Sequence, residues 1–229
     1  MKQLVSSAIV LKRTNFGEAD RIIQVITPDQ GKMSLMAKGV RKVNSKLAGS
    51  IELFSTIDVT YIPGRGSINR LITARLKKHF SNITKDFERT NSGYDFIKII
   101  NKVTEDEVDE QWFNLLENAF KYLDSFSIDI NLIRIWYYLN IFELTGHTPN
   151  LNSDRDGKRY SEEGRYGFDL DAMSFYVDDN GKYMAQHIKV LKLANQFEPT
   201  KMTNIKDISN ICEILYSLIR DMSRVTLDI

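Results

Sequence analysis

The hydrophobic period of this chain changes sharply near residue 80, and that change calls for a fold built from two kinds of element. Up to His79 the apolar residues alternate or gather in short β-branched runs: SSAIVLKRTNF, RIIQVIT, MSLMAKGV, STIDVTYI and SINRLITARL. Turn sequences such as PDQGK and PGRG separate them. Five short strands punctuated in this way predict a small closed or nearly closed barrel. The segment SKLAGSIE, between the third and fourth strands, reads as a short helix or a loop.

Beyond His79 the apolar spacing becomes three and four residues. YDFIKIINKV, EQWFNLLENAFKYLDSF and NLIRIWYYLNIFELTG therefore read as helices. Asp109 and Glu110 mark the start of the second, and Gly146 stands where the third would be capped. The third is apolar on most sides, as expected of a central helix. Residues 147–185 are interrupted by Gly157, Gly164, Gly167 and Gly181 and by Asp-rich turns, which predicts small hairpins such as GFDLD and MSFYV. Helical spacing returns in HIKVLKLANQF and DISNICEILYSLIRDMSRV. The expected class is α+β. An amino-terminal five-stranded barrel over residues 1–80 precedes a mainly helical domain over residues 81–229, with a small β-rich insertion at about 147–185.

Several functions are excluded by counting. Cys212 is the only cysteine in 229 residues, so neither an intramolecular disulfide nor a Cys-rich zinc site can form. The first ten residues are too short and too polar for a signal peptide, and no apolar run reaches the length of a membrane span, so a cytoplasmic location is expected. There is no phosphate-binding Walker loop and no dinucleotide fingerprint; GRGS at residues 64–67 lacks the required lysine. Glu18 and Asp20 suit turn capping better than catalysis. His147 and His187 lack a repeated second ligand, and Cys212 falls on an apolar stripe. The chain reads as a protein without enzyme activity.

Charge is where the sequence departs from the ordinary. The formal net charge is only +1, yet residues 1–80 hold fourteen Lys and Arg against five Asp and Glu, whereas residues 81–229 hold seventeen against twenty-five. A basic module of this density is the footprint of a nucleic-acid surface. It is sharpest in AKGVRKVNSKLAGSIELF, where Lys38, Arg41, Lys42 and Lys46 interleave with Gly39, Asn44, Ser45 and Gly49. Each cation can neutralise one phosphate and release its counterion, while Ser45 and Asn44 can donate to phosphate oxygens. Lys12 and Arg13 on the first strand, Arg21 on the second, and Arg65 and Arg70 around the PGRG turn are expected to extend the surface. Phe16, Phe54 and Tyr61 are the aromatics available for base stacking, although core packing is the commoner role for each.

The run KRTNFGEADRIIQVITPDQGKMSLMAKGVRKVNSKLAGSIELF resembles the amino-terminal region of the RecO family of bacterial repair and recombination mediators. The matching features are Gly17-Glu18-x-Asp20, Thr27 followed by Gly31-Lys32, Ala37-Lys38-Gly39-x-Arg41 and Ser45-Lys46-Leu47. Gly146-x-x-Pro149-x-Leu151 resembles the family's signature after its central helix. The resemblance implies an OB-fold joined to a helical domain. It also implies binding of single- and double-stranded DNA, annealing of complementary strands, partnership with RecR, and help in loading the RecA recombinase onto DNA covered by single-strand-binding protein (SSB). Lys38, Arg41, Lys42 and Lys46 match the family's DNA-contacting region.

Many RecO proteins also carry two CxxC pairs that bind zinc in the insertion. Here Asp154, Asp156, Asp169 and Asp171 occupy that neighbourhood, and aspartates are poor tetrahedral zinc ligands. The expectation is no metal and no cofactor, with turn-forming aspartates and a hairpin held by Tyr166, Phe168, Phe175 and Tyr176. The family's helical domain receives the acidic, Phe-ended tail of SSB. Candidates here are Lys189, Lys192 and Arg220, with Ile188, Leu191 or Leu215 as apolar surface. The competing reading is a protein–protein adaptor whose basic barrel binds an acidic polypeptide.

Overall fold

The computed structural model describes residues 2–45, 47–104 and 109–228. Its first five strands are β1 (Leu4–Phe16), β2 (Asp20–Thr27), β3 (Gly31–Ala37), β4 (Ser55–Ile62) and β5 (Ile68–His79). They close into a barrel in the order β1-β2-β3-β5-β4, antiparallel except for the short β3–β5 pairing of Ser34–Met36 with Ile68–Arg70. This is the five-stranded OB-fold. Alternation supplies the inside: Ala8, Val10, Ile23, Val25, Leu35, Ile57, Val59 and Leu71 are buried in one cluster. The segment between β3 and β4 contains a 3-10 turn at Ala48–Ser50.

A bulge in β1 controls which charges face out. Val10 pairs with Val25 inside the barrel, but the next aligned pair is Lys12 with Gln24, on the outer face. Arg13 then pairs with Ile23 and falls on the inward side, at the barrel mouth. Adjacent strand residues point to opposite faces, so Lys12 and Arg13 cannot share one surface.

Helix α1 (Phe87–Val103) is capped by Asp86, whose carboxylate accepts the Arg89 N–H at 2.9 Å. Helix α2 (Glu110–Leu123) is capped by Asp109 in the same way. Both helices pack with the barrel, giving one compact unit over Met1–Asp124. The junction is aromatic: Phe54 meets Tyr94 at 5.2 Å and Phe120 at 5.5 Å, both edge to face.

The second unit, Ser125–Ile229, is built on α3 (Ile130–Leu144), α4 (Ala185–Gln196) and α5 (Ile208–Leu227). Helix α3 is buried on nearly every side, as its sequence predicts for a central helix. It ends where Gly146 turns left-handed (φ 77°), and the His147 N–H returns to the Phe142 carbonyl at 2.7 Å. The insertion forms a three-stranded sheet, β7-β6-β8, from β6 (Arg165–Asp169), β7 (Ser174–Val177) and β8 (Tyr183–Met184).

Candidate nucleic-acid interface

The β1–β2 hairpin tip and the segment after β3 are tied into one ledge. The Asp20 carboxylate accepts the Gly39 N–H at 2.6 Å, and Gly39 adopts φ 65°, which favours glycine. The Arg41 N–H donates to the Ala19 carbonyl at 2.9 Å, and the Arg41 guanidinium donates to the Gly17 carbonyl at 3.2 Å. Val40 and Ile51 are buried in the barrel core and anchor the segment at both ends. The basic stretch is therefore held in shape, not a free loop. Its fixed backbone presents Lys38, Arg41 and Lys42 to solvent, with Ser45 half-buried behind them. Lys46 lies outside the described residues. Phe16, 52% exposed, stands at the adjoining hairpin tip, so it alone of the three candidate aromatics is open to a base. Phe54 and Tyr61 are core residues, 2% and 3% exposed.

Two carboxylates close to these cations are already engaged. Asp20 holds Gly39, and Glu52 pairs with Arg13. Arg13 is thereby neutralised at the barrel mouth and removed from the outer surface, unlike the exposed position expected for it. Arg21 pairs with Ala37 on the same inward side and donates to the Asn15 side chain at 3.1 Å. Among the described residues, Lys38, Arg41 and Lys42 have no carboxylate partner within ion-pair distance.

The outer face of the barrel adds a second group. Cross-strand pairing sets Lys12, Gln24, Ser34 and Ile68 in one row and Thr14, Ile22, Met36 and Arg70 in the next. Lys12 and Arg70 thus stand on β1 and β5, with β2 and β3 between them. Between them lies a neutral strip of Gln24, Ser34, Ile22 and Met36. Arg65 is exposed in the β4–β5 turn, whose Gly64 N–H is held by the Asn69 side chain at 3.1 Å. The strip was not among the expected contacts. Its signal was the simple alternation in β2 and β3, which sends Gln24 and Ser34 outward whenever Val25 and Leu35 point in.

In the helical unit, a cleft of about 460 Å³ opens between α4 and the insertion. Arg159, Lys189 and Lys192 line it together with Leu151, Tyr160 and Ile188, and Glu162 lines it too. The Lys192 ammonium donates to the Asn152 side chain at 2.8 Å. Lys189, Lys192 and Ile188 therefore do come together. Arg220 lies elsewhere, in a depression on α5 beside Asp221 and Arg224. Leu191 and Leu215 are buried and offer no surface.

Residues 1–80 match the family model described as recombination protein O N terminal. By that match the amino-terminal domain, residues 1–80, is of the RecO type. It is 31% identical over 155 residues to the DNA repair protein RecO of Desulfatibacillum aliphaticivorans, a match covering 66% of this chain and 60% of that one. It is 28% identical over 147 residues to the RecO of Rubrobacter xylanophilus, covering 64% and 59%. Against the RecO of Roseiflexus sp. strain RS-1 the identity is 29% over 148 residues, covering 64% and 51%. The chain thus spans about 60% or less of the length of these curated relatives.

The insertion residues do not fit the zinc that the RecO resemblance implies. One Asp154 oxygen accepts the N–H groups of Asp156 and Lys158 at 3.0 and 2.7 Å, which makes Asp154 a turn residue with its charge directed at backbone. Asp169 accepts from Asp171 and Ala172 and pairs with Arg155; these contacts hold its carboxyl below the usual carboxylate range. Among the described residues no three His, Cys, Asp or Glu side chains converge on a metal position. Rings hold the insertion instead: Phe168 meets Phe175 at 4.8 Å, Tyr160 meets Tyr166 at 5.2 Å, and Phe175 meets Tyr183 at 5.6 Å. Tyr176 lies apart from that stack, under the Arg155 guanidinium. Tyr160 and Tyr183 were not foreseen as partners. Burial, reinforced by Asp154, pushes the Tyr160 hydroxyl up to about 12. The Cys212 thiol is also pushed up to about 12, by burial and then by Asp129, which leaves it without thiolate character.

Proposed function

We propose that this chain is a non-catalytic DNA-binding protein of recombinational repair, in which the amino-terminal barrel, residues 1–80, holds the phosphate backbone. The observation that carries the reading is the pinned ledge: three exposed cations, Lys38, Arg41 and Lys42, on a backbone fixed by Asp20, Ala19 and Gly17. A fixed array of cations neutralises phosphates without first having to be ordered, and the entropy of ordering opposes binding. The strip between Lys12 and Arg70 supplies a place for bases, with Gln24 and Ser34 as polar groups and Ile22 and Met36 as apolar ones. Phe16 adds a ring for stacking at the ledge. The RecO relationship supports strand annealing and delivery of a recombinase such as RecA to SSB-covered DNA, with RecR as a partner, in the cytoplasm at the nucleoid.

The second unit, Ser125–Ile229, would recruit SSB. The cleft lined by Arg159, Lys189 and Lys192 suits an acidic peptide ending in an apolar side chain, because three cations outnumber the one carboxylate, Glu162, and apolar atoms of Leu151, Tyr160 and Ile188 share the lining. Arg220 is too separate from this cleft to be part of the same contact.

An annealing assay with complementary oligonucleotides, with and without SSB, tests the proposal. The wild-type chain is expected to accelerate annealing, and Lys38→Ala/Arg41→Ala/Lys42→Ala to lose most of that acceleration. If the triple variant anneals as fast as wild type, the ledge is not the DNA contact. If an acidic peptide but no oligonucleotide binds the barrel, the chain is an adaptor instead.

A further inference from the structure

The carboxyl-terminal half of β5 belongs to neither the ledge nor the outer strip. β3 pairs with β5 only from Ile68 to Arg70, so the rest of that edge of β5 has no strand beside it. Arg75, Leu76, Lys77, Lys78 and His79 are all exposed in succession, which strand alternation within a closed wall would not produce. The register shows why. Arg75 lies beside Asp58 and Ser7 on the outer face of β4 and β1, and register shifts at Thr60/Tyr61 and Thr56/Ile57 break the alternation of β5 against β4.

The result is a line of cations. From Arg75 through Lys77 to Lys78 it runs about 10 Å, three residues of extended chain. Lys77 donates to the Ser7 hydroxyl at 3.2 Å and lies 3.6 Å from Asp58. Lys78 sits 4.8 Å from the centre of the Phe80 ring. Asp58 faces this line, and its pair with Lys77 is half-exposed on both sides, so it offsets the field only weakly. The line is flanked by β4 and the first half of β1, whereas the ledge is built from the β1–β2 tip and the segment after β3. One barrel thus carries two groups of cations on different strands, with the 3-10 turn at Ala48–Ser50 packed against β5.

We propose that the distal half of β5, through Arg75, Lys77 and Lys78, binds the phosphate backbone of a second nucleic-acid strand while the ledge holds the first. The proposal rests on the nucleic-acid reading given above. Bringing two polyanions together costs Coulomb repulsion, and two groups of cations on one barrel let each backbone be screened by its own group.

The test uses the full chain and two non-complementary single-stranded oligonucleotides carrying donor and acceptor dyes, followed by annealing of a complementary pair. Arg75→Ala/Lys77→Ala/Lys78→Ala is expected to bind the first oligonucleotide within about twofold of wild type, while co-occupancy and annealing rate fall about tenfold. The charge-keeping variant Arg75→Lys/Lys77→Arg/Lys78→Arg should retain both, which separates charge from folding. Asp58→Asn should tighten the second binding event. Wild-type co-occupancy and annealing in the alanine variant would overturn the proposal. So would an equal loss of first-strand binding, because the two groups would then be one site. If the wild-type chain binds no oligonucleotide, the nucleic-acid reading itself fails. If it binds and anneals while the β5 variant matches it, only the second-strand site fails.

Discussion

Arg41 and Lys42 are neighbours of the same charge with different jobs. The Arg41 guanidinium donates to the Gly17 carbonyl and so helps to hold the ledge against the hairpin, whereas Lys42 projects into solvent. Arg41→Ala is therefore expected to destabilise the amino-terminal unit by about 1 kcal/mol as well as weaken DNA binding. Lys42→Ala should weaken binding with an unchanged melting temperature. Equal melting temperatures for the two variants would contradict the bracing role. His187 makes a different kind of prediction. It is buried, and its Nδ1 accepts the Met184 N–H at 3.0 Å, which needs an unprotonated nitrogen. Burial first, and then Lys182, hold its pKa below the ordinary 6.5. An unfolded chain takes up a proton near 6.5 that the native chain refuses. The stabilisation is therefore complete above that pH and is lost as pH falls toward the lowered native value. Denaturant unfolding of His187→Gln should show a flatter decline between pH 7 and pH 5 than wild type; an identical decline would remove His187 as the cause.

At the scale of elements, what could be read from sequence was whatever depends on period and capping. Five strands, the buried α3, the Asp109 cap and the Gly146 stop are local patterns, and the structure contains them. Helix α1 begins at Phe87, well before the apolar run at Tyr94, because Asp86 caps a polar first turn that shows no apolar period. The site was less legible because it depends on register and on contacts distant in sequence. The bulge after Val10 decides that Lys12 faces out and Arg13 in. Nothing near Arg13 announces Glu52, and nothing near Gly39 announces Asp20. The joint between barrel and helices is equally non-local. A Cβ on Gly93 would come within 2.6 Å of the Phe54 ring, and Phe54 itself holds a left-handed backbone (φ 55°). Gly93→Ala should gain helix propensity yet lose about 1–3 kcal/mol overall through overpacking of that ring. Chemical denaturation measures the difference, and a stabilised variant would mean that Phe54 can move aside.

On the scale of the whole molecule, near-neutral net charge conceals a division of labour. Basic residues concentrate in the barrel, and acidic ones in the helices and insertion. The chain spans about 60% or less of its curated RecO relatives, and its insertion is held by edge-to-face rings and aspartate turns. No helix among the described residues is long and apolar enough to cross a membrane. The central claim is electrostatic: fixed cations on the barrel exchange counterions for phosphates. The most direct test is the affinity for a short single-stranded oligonucleotide measured across a range of salt concentrations, for wild type and Lys38→Ala/Arg41→Ala/Lys42→Ala. Wild type should show a steep linear fall of log affinity with log salt, and the variant a slope shallower by about 2, near 0.7 for each phosphate contact removed. Parallel slopes for the two proteins would contradict the claim.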